Sequence, residues 1–280
     1  MIAELLTLVL GVSAAGAAQD FSWQGELREG QELVISNIIG EIKIEPASGR
    51  VARVTAVRRA GRYGDPEDVA VLTSESRRGM TICVRYPTTN RADQSNDCGD
   101  DHRGKSIKND TQVDFLVQLP SGVAINAGTV SGVVRARNLS ADAELSSVSG
   151  DVEVSGMRGR ELRANTVSGE VLLTEITARD VSAKTVSGDV EFEGILDASG
   201  LYSFTTLSGM VMVIVPEGTG ADYRATTFSG SIRVPEGATS ESANRRRSRY
   251  SGKLGGGGAD LNLESFSGRV EVRFANRSGE

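Results

Sequence analysis

A single histidine, His102, stands in a chain of 280 residues. Every mechanism that needs two imidazoles is thereby removed, most catalytic zinc sites among them. Any Ser-His-Asp triad would have to run through the one polar segment that holds it. Around His102 gather Asp93, Asn96, Asp97, Asp100 and Asp101. Oxygen ligands at such spacing suit Ca²⁺, but their order is not that of an EF-hand, and a solvated acidic loop is the expectation. Gly255-Gly256-Gly257-Gly258-Ala259-Asp260 matches the first six positions of a calcium-binding nonapeptide. That motif works in tandem and wants a large apolar residue two positions after the Asp. Asn262 stands there, in a single copy, so a flexible loop is expected. No Gly-Lys-Ser/Thr follows these glycines, which excludes a P-loop. Arg245-Arg246-Arg247-Ser248-Arg249 has the charge to meet phosphate of lipopolysaccharide or nucleic acid, though a solvated basic loop is the simpler expectation. Asp151, Glu170 and Asp189 recur at a regular interval. On neighbouring strands they would sit about 4.8 Å apart, close to the roughly 5 Å between the carboxylates of retaining glycosidases. The same column continues as Met210, Ser231 and Arg269, so repeated surface charge is preferred. No catalytic, cofactor-binding or metal-ligating residue is assigned, and no cofactor is expected.

The interval between those carboxylates belongs to an internal repeat. Thr129-Val130-Ser131-Gly132, Ser147-Val148-Ser149-Gly150, Thr166-Val167-Ser168-Gly169 and Thr185-Val186-Ser187-Gly188 align with Thr206-Leu207-Ser208-Gly209, Thr227-Phe228-Ser229-Gly230 and Ser265-Phe266-Ser267-Gly268. The glycines step by 18, 19, 19, 21, 21 and 38 residues, the last step being two periods. Apolar or small residues lie seven and five before the glycine, as in Leu162 with Ala164 and Val181 with Ala183. Others lie two and four after it, as in Val152 with Val154 and Val171 with Leu173. Residues 33–44 look like a degenerate early copy.

Alternation on both sides of the glycine marks strands rather than helices. A unit of about 19 residues cannot bury its own apolar face, but stacked copies can. The expected fold is therefore all-β: a parallel β-solenoid of about 19–21 residues per turn, preceded by an irregular N-terminal β region. A propeller would need about 40 residues per blade, and a sandwich has no use for near-identical units. The apolar position two before the glycine is out of phase with those seven and five before it. A corner is expected near Asn165-Thr166, after which Val167, Gly169, Val171 and Leu173 point inward. Outward would lie the ladder Ser131, Ser149, Ser168, Ser187, Ser208, Ser229 and Ser267. The repeat glycines would mark bends or close backbone approach.

The [TS]-[VLF]-S-G-[DE]-V unit, the run Val117-Gln118-Leu119-Pro120-Ser121-Gly122-Val123 leading into it and Leu254-Gly255-Gly256-Gly257-Gly258 ahead of the last copy resemble the bacterial "putative adhesin" family. The resemblance spans roughly residues 32–274 and implies an exported β-solenoid in the cell envelope. It supplies no catalytic residues. The polar insert at 88–110 and the arginine cluster depart from the pattern.

Residues 1–18 have the apolar run and the Ala15-Gly16-Ala17 end of a signal peptide, with cleavage after Ala17 or Ala18. Their only charge is Glu4, where a basic residue is usual; a start codon upstream, an atypical signal or a short buried helix are the alternatives. In an exported chain, Cys83 and Cys98 are expected to form one disulfide, with two unpaired thiols as the alternative. A net charge of −6 argues against nucleic acid as a partner, and no apolar stretch in the mature chain is long enough for a transmembrane span. The organisation expected is a signal peptide at 1–18, an N-terminal strand region at 19–112, regular repeats at 113–274 with a loop insertion at 238–258, and a tail at 275–280. The expected function is structural or adhesive and non-enzymatic, at the periplasmic or outer cell surface, with an envelope protein or glycan as partner. A carbohydrate-binding or carbohydrate-cleaving solenoid is the alternative, and an ice-binding Thr/Ser ladder the second.

Overall fold

A computed structural model of the protein describes residues 21–88, 98, 107–235, 239–240 and 248–275. Among the described residues the structure is all-β apart from one 3₁₀ turn at Pro66–Asp68. Each repeat contributes two strands, or legs, joined by a corner at the Ser-Gly pair. First legs stack on first legs: Ala124–Ser131, Ala143–Ser149, Glu161–Asn165, Asp180–Ser187 and Leu201–Ser208 pair in parallel. Second legs do the same through Val134–Leu139, Val152–Met157, Val171–Ile176, Val190–Gly194 and Val211–Val215. The result is a solenoid-like stack of rungs around a thin Val, Leu, Ile and Ala core, thickened by Phe192 in ring contact with both Tyr202 and Phe204. The early copy at 33–44 joins the stack, with Leu33 beside Ile125 and Ile42 beside Val134.

Two features of the sequence reading need correction. Strand direction is mixed: the parallel stack is flanked by antiparallel strands at both ends. Spatial order also departs from chain order. The last copy, in the long strand Ala259–Phe274, lies between Leu201–Ser208 and Ala221–Arg233, so the Gly268 rung sits inside the Gly230 rung. The other end mirrors this. Glu32–Ser36 and Ile42–Pro46 lie inside the later strands Gly79–Arg85 and Gln112–Leu119.

The expected loop insertion at 238–258 contains strands. Ser248–Leu254 runs antiparallel on the outer edge of Ala221–Arg233, and Thr239–Ser240 pairs with it in turn. The four glycines then carry the chain across the end of Ala221–Arg233 to its inner edge. Gly255, Gly257 and Gly258 have φ of 52°, 80° and 144°, values open to glycine at little cost. Asp222 holds the crossing by accepting from the Gly258 N–H at 3.0 Å. Glycine here serves a strand exchange rather than a free loop.

Candidate interaction surface

The corner decides which side chains reach solvent. Along each first leg the alternation set by positions −7 and −5 continues unbroken to −3, where Thr129, Ser147, Thr166, Thr185, Thr206, Thr227 and Ser265 are buried. Their hydroxyls do not go unsatisfied. Thr166 Oγ1 donates to the Gly150 carbonyl of the preceding rung at 2.8 Å, Ser147 to Gly132 at 2.9 Å and Thr206 to Gly188 at 2.9 Å. Thr129, Thr185, Ser265 and Thr227 repeat the bond to Gly40, Gly169, Gly209 and Gly268. In the early copy the buried Asn37 takes this place and donates to the Val113 carbonyl at 2.9 Å. A buried hydroxyl is tolerable only with such a partner.

The turn therefore comes two residues later than the sequence reading placed it, and Val167 and Gly169 are not inward. The Gly169 N–H donates to the Ser187 carbonyl at 3.0 Å, and its φ is 154°. A Cβ there would stand 2.3 Å from the Gly150 oxygen, along the stack rather than into the core. The corresponding distances at Gly132, Gly150, Gly188, Gly209, Gly268 and Gly230 are 2.0, 2.0, 1.9, 2.1, 1.9 and 1.7 Å. Each glycine carbonyl thus lies against the next glycine and also accepts the Thr or Ser hydroxyl beside it. No other residue fits between consecutive rungs.

With −3 inward, the apolar residue at −2 is turned out. Val130, Val148, Val167, Val186, Leu207, Phe266 and Phe228 are 45–53 % exposed, in that spatial order along the stack. Ile38 continues the line, half-buried, at the N-terminal end. At about 4.8 Å per rung these eight form an apolar ridge of about 34 Å. Its C-terminal end is aromatic: Phe228 and Phe266 stack with centroids 4.8 Å apart and planes 7° from parallel. Beside it runs the exposed line Ser131, Ser149, Ser168, Ser187, Ser208, Ser267 and Ser229, and the backbone carbonyls of the first six are spent within the stack. These serines lie outside, as expected, and the ridge beside them is formed by residues expected inside. The signal was present in the strict alternation from −7 and −5, and in a Thr or Ser at −3 of every copy.

Two of the three carboxylates weighed as a catalytic column are engaged with backbone. Asp151 accepts from the Glu170 N–H at 2.8 Å, and Asp189 from Met210 at 2.7 Å. The threonines of the ice-binding alternative face inward and cannot present a ladder to solvent. On the outer face of the first legs lies a shallow groove of about 410 Å³, lined among others by Glu161, Arg163, Asp180, Ser182, Ser203 and Asn262. Two of its three acids pair with arginine, Glu161 with Arg163 and Asp180 with Arg179, and Asp260 is the third. Cys83 and Cys98 are disulfide-bonded, with Cα atoms 5.7 Å apart. The acidic cluster Asp93, Asn96, Asp97, Asp100, Asp101 and His102, the arginines 245–247 and the leader 1–18 lie outside the described residues. Among the described residues no helix is long and apolar enough to cross a membrane.

Residues 119–273 match the family model Toastrack DUF4097. Among curated proteins none matches the chain in sequence. Solved structures that resemble it include the "putative cell adhesion protein" of Clostridium sporogenes, 12 % identical over 91 % of this chain and 99 % of that one, TM-score 0.40. A "putative adhesin" of Bacteroides fragilis is 12 % identical over 90 % and 96 %, TM-score 0.39. A "putative lipid binding protein" of Parabacteroides distasonis is 11 % identical over 92 % and 98 %, TM-score 0.38.

Proposed function

The chain belongs to the Toastrack DUF4097 family, and from that premise we propose that it is an exported, non-enzymatic β-solenoid with an adhesive or structural role at the cell envelope. It would engage an envelope partner through the corner ridge. The ridge carries this reading. Soluble monomers bury most large apolar side chains and scatter the rest singly, whereas contiguous exposed apolar residues mark contact sites. Here one apolar residue per rung is exposed in line, while the polar Thr or Ser beside it is buried. A rigid stack also suits recognition, because its side chains are already ordered before contact.

The test is direct. Val148→Ser, Val167→Ser and Val186→Ser in one chain should leave the far-UV circular dichroism and urea midpoint close to wild type. Binding to the organism's own envelope fractions should fall at least tenfold. Undiminished binding by the folded triple variant would remove the ridge from the function. Export is tested separately: the mature protein should begin at Ala18 or Gln19 by mass spectrometry. A cytosolic chain starting at Met1 would overturn the envelope assignment. The groove on the first legs keeps a carbohydrate-binding reading in view, because Arg163, Ser182, Ser203 and Asn262 offer the mixed donors and acceptors that sugar hydroxyls use. A glycan array with the ridge variant separates the two surfaces.

A further inference from the structure

The outer face of the second legs carries two charge clusters of opposite make-up. Towards the N-terminal end one cation is closed by two anions. Arg135 donates from Nη1 to Glu41 at 2.5 Å and from Nε to Glu153 at 2.8 Å. Towards the C-terminal end the ratio is reversed. Glu271 lies between Val270 and Val272, which are buried in the core, so it belongs to the outer face, yet it is only 6 % exposed. Arg269 and Arg273 flank it along its own strand. Arg233 stands opposite it on the outer neighbouring strand and Met212 on the inner one. One carboxylate is thus set among three guanidiniums.

The bonds fix what is left over. Arg273 donates from Nε to Glu271 Oε1 at 2.9 Å, and its two Nη groups take no part in that bond. Arg269 Nη1 is 3.9 Å from Oε2, an ion pair too long for a hydrogen bond, and Oε2 is buried without a donor. The hydrogen bond from Arg273 holds the Glu271 carboxyl below the usual carboxylate range, against the cost of its burial, and the charges of Arg233 and Arg269 act in the same direction. The next carboxylate in this column, Glu191, lies beyond Met212. Three cations less one anion leave two positive charges on exposed side chains.

As a purely structural device this would be wasteful. A buried carboxylate needs a partner, and one arginine supplies it. Like charges gathered on neighbouring strands oppose folding. What the arrangement achieves is to bring guanidinium forks together with donors unused, in a chain whose net charge is −6. Such forks match the geometry of phosphate oxygens. A phosphate monoester carries about −1.5 to −2 charge at pH 7, which complements the surplus.

We infer that Arg233, Arg269 and Arg273, gathered around Glu271, form a binding site for a phosphate monoester group. The site lies on the second-leg face, around the corner from the apolar ridge, and it does not depend on the ridge.

Glycerol phosphate, titrated calorimetrically into the purified chain at about 0.1 M chloride, should bind at a single site. Arg233→Gln and Arg269→Gln should each weaken that binding about tenfold, with circular dichroism and urea midpoint as in wild type. Where either glutamine variant loses the wild-type spectrum, lysine at the same position keeps the charge, removes the fork and should still weaken binding. Arg137→Gln, at an exposed position on the same face towards the N-terminal end, should bind as wild type does, and so should the Val148, Val167 and Val186 serine variant. Flotation with phosphatidylcholine vesicles, with and without phosphatidic acid, identifies the source of the phosphate. Flotation that needs phosphatidic acid and both arginines puts the group on a lipid, whereas glycerol phosphate binding without flotation makes it a soluble phosphate. A chain that takes up neither probe at millimolar concentration overturns the inference. So does binding that Arg233→Gln and Arg269→Gln leave unchanged, or that Arg137→Gln weakens equally, because general charge would then account for it.

Discussion

Middle rungs and end rungs are built from the same unit under different constraints. From Gly132 to Gly209 chain order is spatial order, strands are parallel, and each corner is locked by a Gly carbonyl that receives a Thr or Ser hydroxyl. At both ends the order inverts, antiparallel strands appear, and the outermost repeat strand is laid down earlier or later than its place in the stack would suggest. Neighbours explain the difference. A middle rung has a partner on each side, so repeating the unit satisfies its backbone. An end rung exposes one edge, and terminal repeats must be capped by something unlike the repeat. Inserting the last copy under the preceding one lets the intervening segment serve as that cap.

The comparison breaks most sharply at the glycines. Gly169→Val puts a branched side chain at a φ of 154° and a Cβ 2.3 Å from a backbone oxygen that cannot move without dragging the next rung. Strain and overpacking together should cost more than about 3 kcal/mol. At the C-terminal end Gly256 lacks a positive φ, and no atom lies within 4 Å of its Cβ position, so Gly256→Val should stay within about 0.5 kcal/mol. Urea midpoints decide. Equal midpoints would mean that the corner glycines are not what spaces the rungs.

Next in size is the disulfide, which acts on one end alone. Cys83 and Cys98 close a loop of 15 residues, worth about 3 kcal/mol where unfolded-chain entropy governs. Reduction should speed hydrogen exchange in Ala70–Ser76 and Gly79–Arg85 and leave Asp180–Ser187 as it was. Rapid alkylation of fresh protein without reductant should label neither cysteine. Labelled thiols, or equal loosening of both regions, would count against a local role.

Thr166→Val tests the lock in the middle. Valine matches threonine in shape but leaves the Gly150 oxygen without its hydroxyl donor. A buried acceptor left open costs about 1–3 kcal/mol. Thr227→Val, in the outermost rung, removes a longer bond of 3.3 Å and should cost less. A stabilised Thr166→Val protein would show that the core prefers the methyl group to the hydrogen bond.

These residues also show what could be read in advance. The spacing of the glycines and the alternation of Val152 with Val154 were enough for an all-β chain with stacked copies. The face of the −2 residue was not, because Val167 is apolar and Thr166 polar, and residue type alone assigns them to the wrong sides. A hydroxyl becomes a core group only when an acceptor is fixed opposite it, and that acceptor lies a whole rung away in the chain. The inversion at the C-terminal end was hidden for a different reason. A step of 38 residues between Gly230 and Gly268 is two periods, so arithmetic alone cannot separate a skipped turn from a crossed one. The ridge was lost with the misplaced corner.

The smallest expected effect lies at the far corner of the middle rungs, where the copies are not alike. Register places Asn138, Gly156 and Glu175 in one column, with φ of 52°, 73° and 56°. A left-handed backbone is nearly free for glycine and tolerable for asparagine, but it costs other residues about 1–2 kcal/mol. Glu175 is therefore a strained copy of a position that Gly156 fills without strain. Glu175→Gly removes that strain and raises the entropy of the unfolded chain, which returns about 0.4–1 kcal/mol. The balance is a stabilisation of about 0.5–1 kcal/mol, read as a higher urea midpoint with an unchanged slope. Gly156→Ala should move the midpoint the other way, since its Cβ would also meet the Asn138 side chain at 2.6 Å. If Glu175→Gly instead destabilises, the glutamate makes a contact that outweighs its backbone strain, and this corner could no longer be treated as a structural repeat alone.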